Sequence, residues 1–325
     1  MSNTSLEHIL TPTIVSASRA TDVPKFYAEW LLARLREGFC SWTNPFNRQV
    51  YKVSFEKTRL IVFWSKDPKP LLARLDELEA LGFRQYYFQF TLNDYVREGL
   101  EPNVPSVEER IETFRALAGR IGKERVIWRY DPLLLSPSIT LDALLDRIAA
   151  IGRALKGCTE KLVFSFADIA GYRKVMRNLA GTGCREFTHD EKIEFVTRLR
   201  DLNRELGLTL ATCAEDIDLA AFVVRHNKCV DDDLMVRLFH DDDALMEFLG
   251  SECDLIDGWK IAKSRKDKGQ RAACGCVVSK DIGMYNTCPH LCRYCYANAN
   301  DESVLANWKR HQRRPLRLWN AEIHN

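Results

Sequence analysis

No apolar run in the 325 residues approaches the ~18 that a membrane-spanning helix needs, so no membrane partner is expected. An excess of either charge is also missing. Lys and Arg number 47 against 45 Asp and Glu, net +2, so the chain as a whole does not seek polyanions, although a local basic patch remains compatible with it. The opening segment MSNTSLEHILTPT lacks the basic stretch, apolar core and small-residue cleavage site of a secretion signal, and the expected compartment is the cytoplasm. No internal repeat and no low-complexity linker is visible. Histidine is scarce, at 7, and thinly spread, which leaves little material for a histidine-rich hydrolytic metal site. What is left is ordinary globular composition, 46% hydrophobic and 28% charged, and not that of a disordered chain.

Cysteine, by contrast, is plentiful at 11. In a reducing compartment such a number points to metal ligands or redox chemistry, and an odd total argues against a simple disulfide framework. Cys40, Cys158, Cys184, Cys213, Cys229 and Cys253 are dispersed, whereas Cys274, Cys276, Cys288, Cys292 and Cys295 crowd into one stretch.

Strand-like and helix-like segments alternate along the chain. TIVSA, RLIVFWS, RQYYFQFTL, RVIWRY, KLVFSFA and LTLATC read as buried strands, with CVVSKDI a weaker seventh. Between them lie helices with readable ends. Asp22 caps one that has Pro24 in its first turn and runs to Gly38; Asp67 and Pro68 start the next, which stops at Gly82. Ser106 with Glu109, and Thr188 with Glu191, form capping boxes. SWTNPFNRQVYKVSF reads as an irregular hairpin. Segment 216–260 reads as mainly helical, with aspartate runs at 231–233 and 241–243 as helix starts or solvated surface. About seven strand–helix units predict an α/β fold: a (β/α) barrel or partial TIM-like barrel. Residues 1–265 would form its body. Residues 266–325 would be a C-terminal cysteine-cluster segment completing the barrel within one integrated domain. A closing helix, ESVLANWKRHQ, leads into a basic tail over 309–317, for which solvation is the plain reading and nucleic-acid contact the sharper one.

The strongest chemical signal is Cys288-Pro-His-Leu-Cys292-Arg-Tyr-Cys295. A short CxxxCxxC loop can turn three thiolates inward. Three thiolates hold three irons of a [4Fe–4S] cube and leave one iron open, whereas an ordinary electron-transfer cluster has four cysteines. Zinc is the alternative, with Cys274, Cys276 or His290 as fourth ligand. CxxxCxxC with an aromatic before the third cysteine resembles the cluster loop of radical S-adenosylmethionine enzymes. That resemblance implies S-adenosylmethionine as cofactor, radical chemistry on an unspecified substrate, and an electron donor such as flavodoxin or ferredoxin. The loop here follows the last strand and not the first, and no Gly-Gly-Glu-like segment follows an early strand. A circularly permuted barrel would accommodate this, with CVVSKDI as first strand and TIVSA as second.

A wider resemblance rests on SRATD (18–22), NPFN (44–47), VFWSKDPKP (62–70), YYFQFTL (86–92), VIWRYDP (126–132), TCAEDIDL (212–219) and CGCVVSKDIGMYNTCPHLCRYCYAN (274–298). Together they resemble the family called domain of unknown function 1848, over nearly the whole chain. The resemblance implies a fold and a cluster but no reaction.

Cys274 and Cys276, with Cys213 and Cys229, are candidates for a second four-cysteine site, iron–sulfur or zinc. The alternative is that Cys213 and Cys229 merely pack as small apolar groups. At the strand ends, where parallel barrels carry chemistry, stand Ser18, Arg19, Asp22, Trp64, Lys66, Gln89, Thr91, Arg129, Asp131, Ser165, Asp168 and Glu215. Of these, Arg19, Lys66, Arg129, Asp131 and Glu215 are candidates for catalysis, and Ser18, Gln89 and Ser165 for cofactor binding. Arg19 and Arg129 suit a carboxylate or phosphate; Asp131 and Glu215 suit ribose hydroxyls or proton transfer. Capping and structural ion pairing are the competing roles. Trp42, Trp64 and Trp128 read more readily as core than as stacking platforms. Two other functions compete with radical chemistry: a zinc- or cluster-stapled binding or sensing barrel, and a barrel hydrolase with Asp131 and Glu215 as acid and base.

Overall fold

The computed structural model describes residues 8–254, 258–262 and 265–315. Residues 1–7 of the opening segment, Ser264 of the lysine-rich stretch before Cys274, and residues 316–317 of the basic tail lie outside the described residues.

Eight strands form one sheet: β1 (Ile14–Ala17), β2 (Leu60–Ser65), β3 (Tyr86–Thr91), β4 (Val126–Leu133), β5 (Lys161–Phe166), β6 (Thr209–Thr212), β7 (Val224–His226) and β8 (Lys280–Asp281). All seven pairings are parallel, and the spatial order is β7-β6-β5-β4-β3-β2-β1-β8. Every strand therefore lies beside the next one in sequence, except that the last lies outside the first. The strands are β-branched or aromatic and β1, β2, β3 and β5 are buried almost throughout, as a parallel sheet covered on both faces requires. The mixed α/β expectation holds, with an eight-stranded parallel sheet.

Side chains alternate between two cores. Ile61, Phe63, Phe88, Trp128 and Phe164 pack into a large core with the helices that connect the strands. Leu60, Val62, Tyr87, Ile127 and Val163 point the other way and meet helices Asp232–Phe239 and Asp243–Leu249. Those two helices are capped by Asp231 and Asp242, as the aspartate runs predict. The solvated-surface reading fails for part of the runs: Asp231, Asp232 and Asp242 are buried, because Lys161, Lys228 and Arg59 neutralise them.

Both capping boxes form, and the hairpin is present as Phe39–Thr43 paired with Val50–Ser54. Three expectations need correction. The helix after Asp22 breaks at Tyr27 into Val23–Phe26 and Ala28–Glu37. The helix after Pro68 is two short ones, Lys69–Leu72 and Leu75–Ala80. Segment 216–260 contains strand β7 and an antiparallel pair, Ser251–Asp254 with Gly258–Ile261, besides its helices. No helix among the described residues is long and apolar enough to cross a membrane.

Candidate metal centres

Because all eight strands are parallel, their C-terminal ends share one edge of the sheet. β8 leads through Gly283 into the CxxxCxxC loop at that edge. Asp281, the last residue of β8, accepts from Ser18 Oγ (2.7 Å), the Arg19 backbone N–H (2.8 Å) and the Gly283 N–H (2.8 Å). It thereby ties the root of the loop to the end of β1.

The loop is pinned from several elements. Tyr27 Oη donates to the Thr287 carbonyl (2.5 Å), Asn103 Nδ2 to Pro289 (2.9 Å), the Arg293 N–H to Leu100 (3.0 Å) and Asn298 Nδ2 to Cys288 (2.9 Å). Leu291 takes a left-handed φ of 55°, which costs a non-glycine residue about 1 kcal/mol and turns the chain between His290 and Cys292. Burial pushes all three thiols up, Cys288 to about 12 and Cys292 well above the ordinary range. Cys288 and Cys292 also feel the charge of other sulfurs in the loop, and the Lys66 cation works the other way at Cys292 and Cys295. Such thiols ionise only beside a strong positive charge, and a bound metal supplies one.

Lys66 itself is held by Glu101 (2.7 Å) and donates to Tyr294 Oη (2.8 Å). Burial opposes ionisation of Glu101, but Lys66 and Arg110 outweigh it and hold the carboxyl at about 2. Tyr294, the aromatic before Cys295, also donates to Glu101. Glu101 and Asn103 were not singled out from the sequence. They lie in a polar loop whose composition gives no sign that it folds against residues nearly 200 positions away.

His290 and the other candidate fourth ligands are committed elsewhere. His290 Nε2 lies 2.9 Å from Asp22 Oδ2, and its Nδ1 lies 3.2 Å from the Asn103 carbonyl. Cys276 and Cys274 belong to a different group. Cys213 Sγ is 3.4 Å from Cys229 Sγ, Cys229 is in thiol hydrogen-bond contact with Cys276, and Cys276 with Cys274. The contact with Cys276 lowers the Cys274 thiol to about 7. Four N–H groups address this second set. Arg129 Nη1 (2.9 Å) and Asn227 Nδ2 (3.1 Å) donate to Cys229 Sγ, and the Cys229 (3.2 Å) and Val230 (3.3 Å) N–H groups to Cys276 Sγ.

Between the two sets lie most of the predicted strand-end residues. The Arg19 and Arg129 guanidinium groups lie over the Trp64 ring, 5.3 and 5.2 Å from its centroid, so Trp64 is a platform for two cations. Trp128 is core, and Lys280 lies over Trp42. Arg129 pairs with Asp131 and donates to Gln89 Oε1 (3.2 Å), and Asp131 in turn accepts from Ser165. Arg129 outweighs the burial that opposes ionisation of Asp131 and lowers its carboxyl. Gln89 donates to the Cys229 carbonyl (2.8 Å) and Ser18 to Asp281. Glu215 sits farther out, accepting from the Phe166 N–H (2.9 Å), and burial raises its carboxyl. Asp168 closes an exposed turn onto the Gly171 N–H (2.8 Å), and Asp22 caps its helix as expected; Asp67 does not cap the next, whose N-cap is Pro68, but accepts from the Lys69 N–H (3.3 Å) and pairs with Lys25.

Among the described residues, three or more His, Cys, Asp or Glu ligand atoms come within 4.8 Å of one another only at Asp231, Asp232 and Asp233. A tetrahedral zinc with Zn–S of about 2.3 Å would bring its sulfurs to about 3.8 Å from one another. Neither cysteine set has that mutual spacing. No curated protein matches the chain. A family model does match it, over residues 14–297, and the chain belongs to the family described as Domain of unknown function (DUF1848).

Proposed function

We propose that the chain is a [4Fe–4S] cluster-binding enzyme of the radical S-adenosylmethionine type, with Cys288, Cys292 and Cys295 as the three cluster ligands. The observation that carries this reading is the commitment of every candidate fourth protein ligand elsewhere: both His290 nitrogens face other partners, and Cys274 and Cys276 lie with Cys229. Three thiols without a fourth suit a cube with one open iron and not a closed zinc site. The three sulfurs do not all lie within 4.8 Å of one another, as ligands of one tetrahedral zinc would, and this favours the same choice.

The strand order supports a partial barrel. A parallel sheet wound in one direction, strand by strand, puts its connecting helices on one face and curls the other face inward. Here the inward face is filled at one end by helices Asp232–Phe239 and Asp243–Leu249 and carries its polar groups at the other. β8 beside β1 supports the permuted reading, in which the strand before the cysteine loop acts as the first.

When bound, such a cluster with S-adenosylmethionine on its open iron supplies the single electron that starts radical chemistry. The chain's own residues orient and shield. Asp281 fixes the β1 end against the loop, and Lys66 places a cation beside Cys292. Arg19 presents a buried Nη2 with no protein partner, toward a carboxylate or phosphate. Asp131, kept ionised by Arg129, and Glu215 offer acceptors for hydroxyl groups of cofactor or substrate. A small electron-transfer protein, flavodoxin or ferredoxin, is the partner this chemistry needs.

The four-thiol set favours a second reading, a metal-stapled binding barrel without radical chemistry. Metal and sulfide analysis of anaerobically purified protein separates them. The expected result is a brown protein in which Cys292→Ala removes about four irons and four sulfides per chain. The wild type should also form 5′-deoxyadenosine under reduction. Iron unchanged in the variant, or zinc throughout, overturns the proposal.

A further inference from the structure

We infer that Cys213, Cys229, Cys274 and Cys276 hold a second metal centre, which fastens the two free edges of the sheet to each other. This does not rest on the reading of the CxxxCxxC loop.

The four residues come from opposite ends of the sheet. Cys213 directly follows β6, and its N–H extends the ladder to the Phe164 carbonyl (2.8 Å). Cys229 follows β7, one edge of the sheet, whereas Cys274 and Cys276 lie just before β8, the other edge. Where the two segments meet, the Val277 N–H donates to the Val230 carbonyl (3.1 Å), and the Cys229 and Val230 N–H groups donate to Cys276 Sγ. The sheet's edges are thus joined by thiols where further strand pairing would be expected.

The surroundings are built for thiolate. A neutral thiol is a weak acceptor, yet two backbone and two side-chain N–H donors converge on Cys229 and Cys276, both 2% exposed. One donor is the buried Arg129 guanidinium, and Arg19 stands near the same sulfurs. Four thiolates around a dication or an iron–sulfur core keep net negative charge, which these arginines face. Gln89 and Tyr87 hold the loop in register, both donating to the Cys229 carbonyl at 2.8 Å. Zinc and an iron–sulfur core share this tetrathiolate chemistry; zinc would have to draw the four sulfurs to about 3.8 Å from one another on binding, and the assay tells the two apart.

The test uses the full chain, purified without oxygen. A Cys288→Ala/Cys292→Ala/Cys295→Ala variant removes the other site. It should retain about one zinc, or iron with an equal amount of sulfide, and adding Cys276→Ser should remove most of it. In the wild type, chelation of the metal should speed hydrogen exchange of the amides at 227–231 and 274–279 by about tenfold or more, while exchange in β3 and β4 stays slow. A metal-free triple variant, metal unaffected by Cys276→Ser, disulfides among the four cysteines in metal-free protein, or exchange indifferent to chelation would each overturn the inference. The wild-type exchange experiment decides the matter even where a variant folds poorly.

Discussion

Asp22 satisfies four donors with one carboxylate: the Lys25 and Lys66 N–H groups, Ser65 Oγ and His290 Nε2. The cap to Lys25 was legible, because it is local and follows from residue type and spacing. The links to β2 and to the cysteine loop were not, since no local pattern predicts partners 43 and 268 positions away. Gly283 shows the same limit. A Cβ there would stand 1.9 Å from Ser18 Oγ, the hydroxyl that holds Asp281. Gly283→Ala should therefore lower stability by about 1–3 kcal/mol in denaturant titration, because overpacking displaces a hydrogen-bonded group. A neutral result would show that the β1–β8 contact is looser than described. The thiol spacing of 288, 292 and 295 was the clearest residue-level signal in the chain. The sequence leaves convergence of Cys213 and Cys229 with Cys274 and Cys276 as one of two options, and the fold brings them together.

At the scale of elements, strong local signals held. Ser106–Glu109 and Thr188–Glu191 start their helices with both reciprocal hydrogen bonds in place. β7 was missed because its three residues, Val224, Arg225 and His226, form no apolar run; its parallel pairing to β6 is a tertiary fact. The break at Tyr27 was hidden for a related reason. Its ring is needed against Trp308 and His311, and its hydroxyl at Thr287, so packing overrides helix continuity. These contacts also dock helix Asp301–Arg313. Burial lowers His311 from 6.5 to about 4, so the folded chain prefers the neutral ring. The stability this gives is complete above pH 6.5 and is lost as pH falls toward about 4, where the unfolded chain binds the proton first. The melting temperature should drop through that window, and His311→Leu should flatten the drop. An identical pH profile in the variant would contradict the packing role.

At the scale of the molecule, alternating apolar strands and capped helices made the parallel sheet legible, and the order of β1 to β6 follows the chain. The place of β8 outside β1 was foreseen only as a consequence of permutation. β8 keeps only two residues of the CVVSKDI strand that the sequence suggests. Its position matters most, because it sets the CxxxCxxC loop beside the polar ends of the other strands. The central claim is that this loop holds a cube with one iron left for a small chelating cofactor. Electron paramagnetic resonance of the reduced, oxygen-free protein, with and without S-adenosylmethionine, tests it most directly. The account predicts a [4Fe–4S] signal that changes shape when the cofactor is added and disappears in Cys292→Ala. No such signal, or one indifferent to both the cofactor and the substitution, would contradict it.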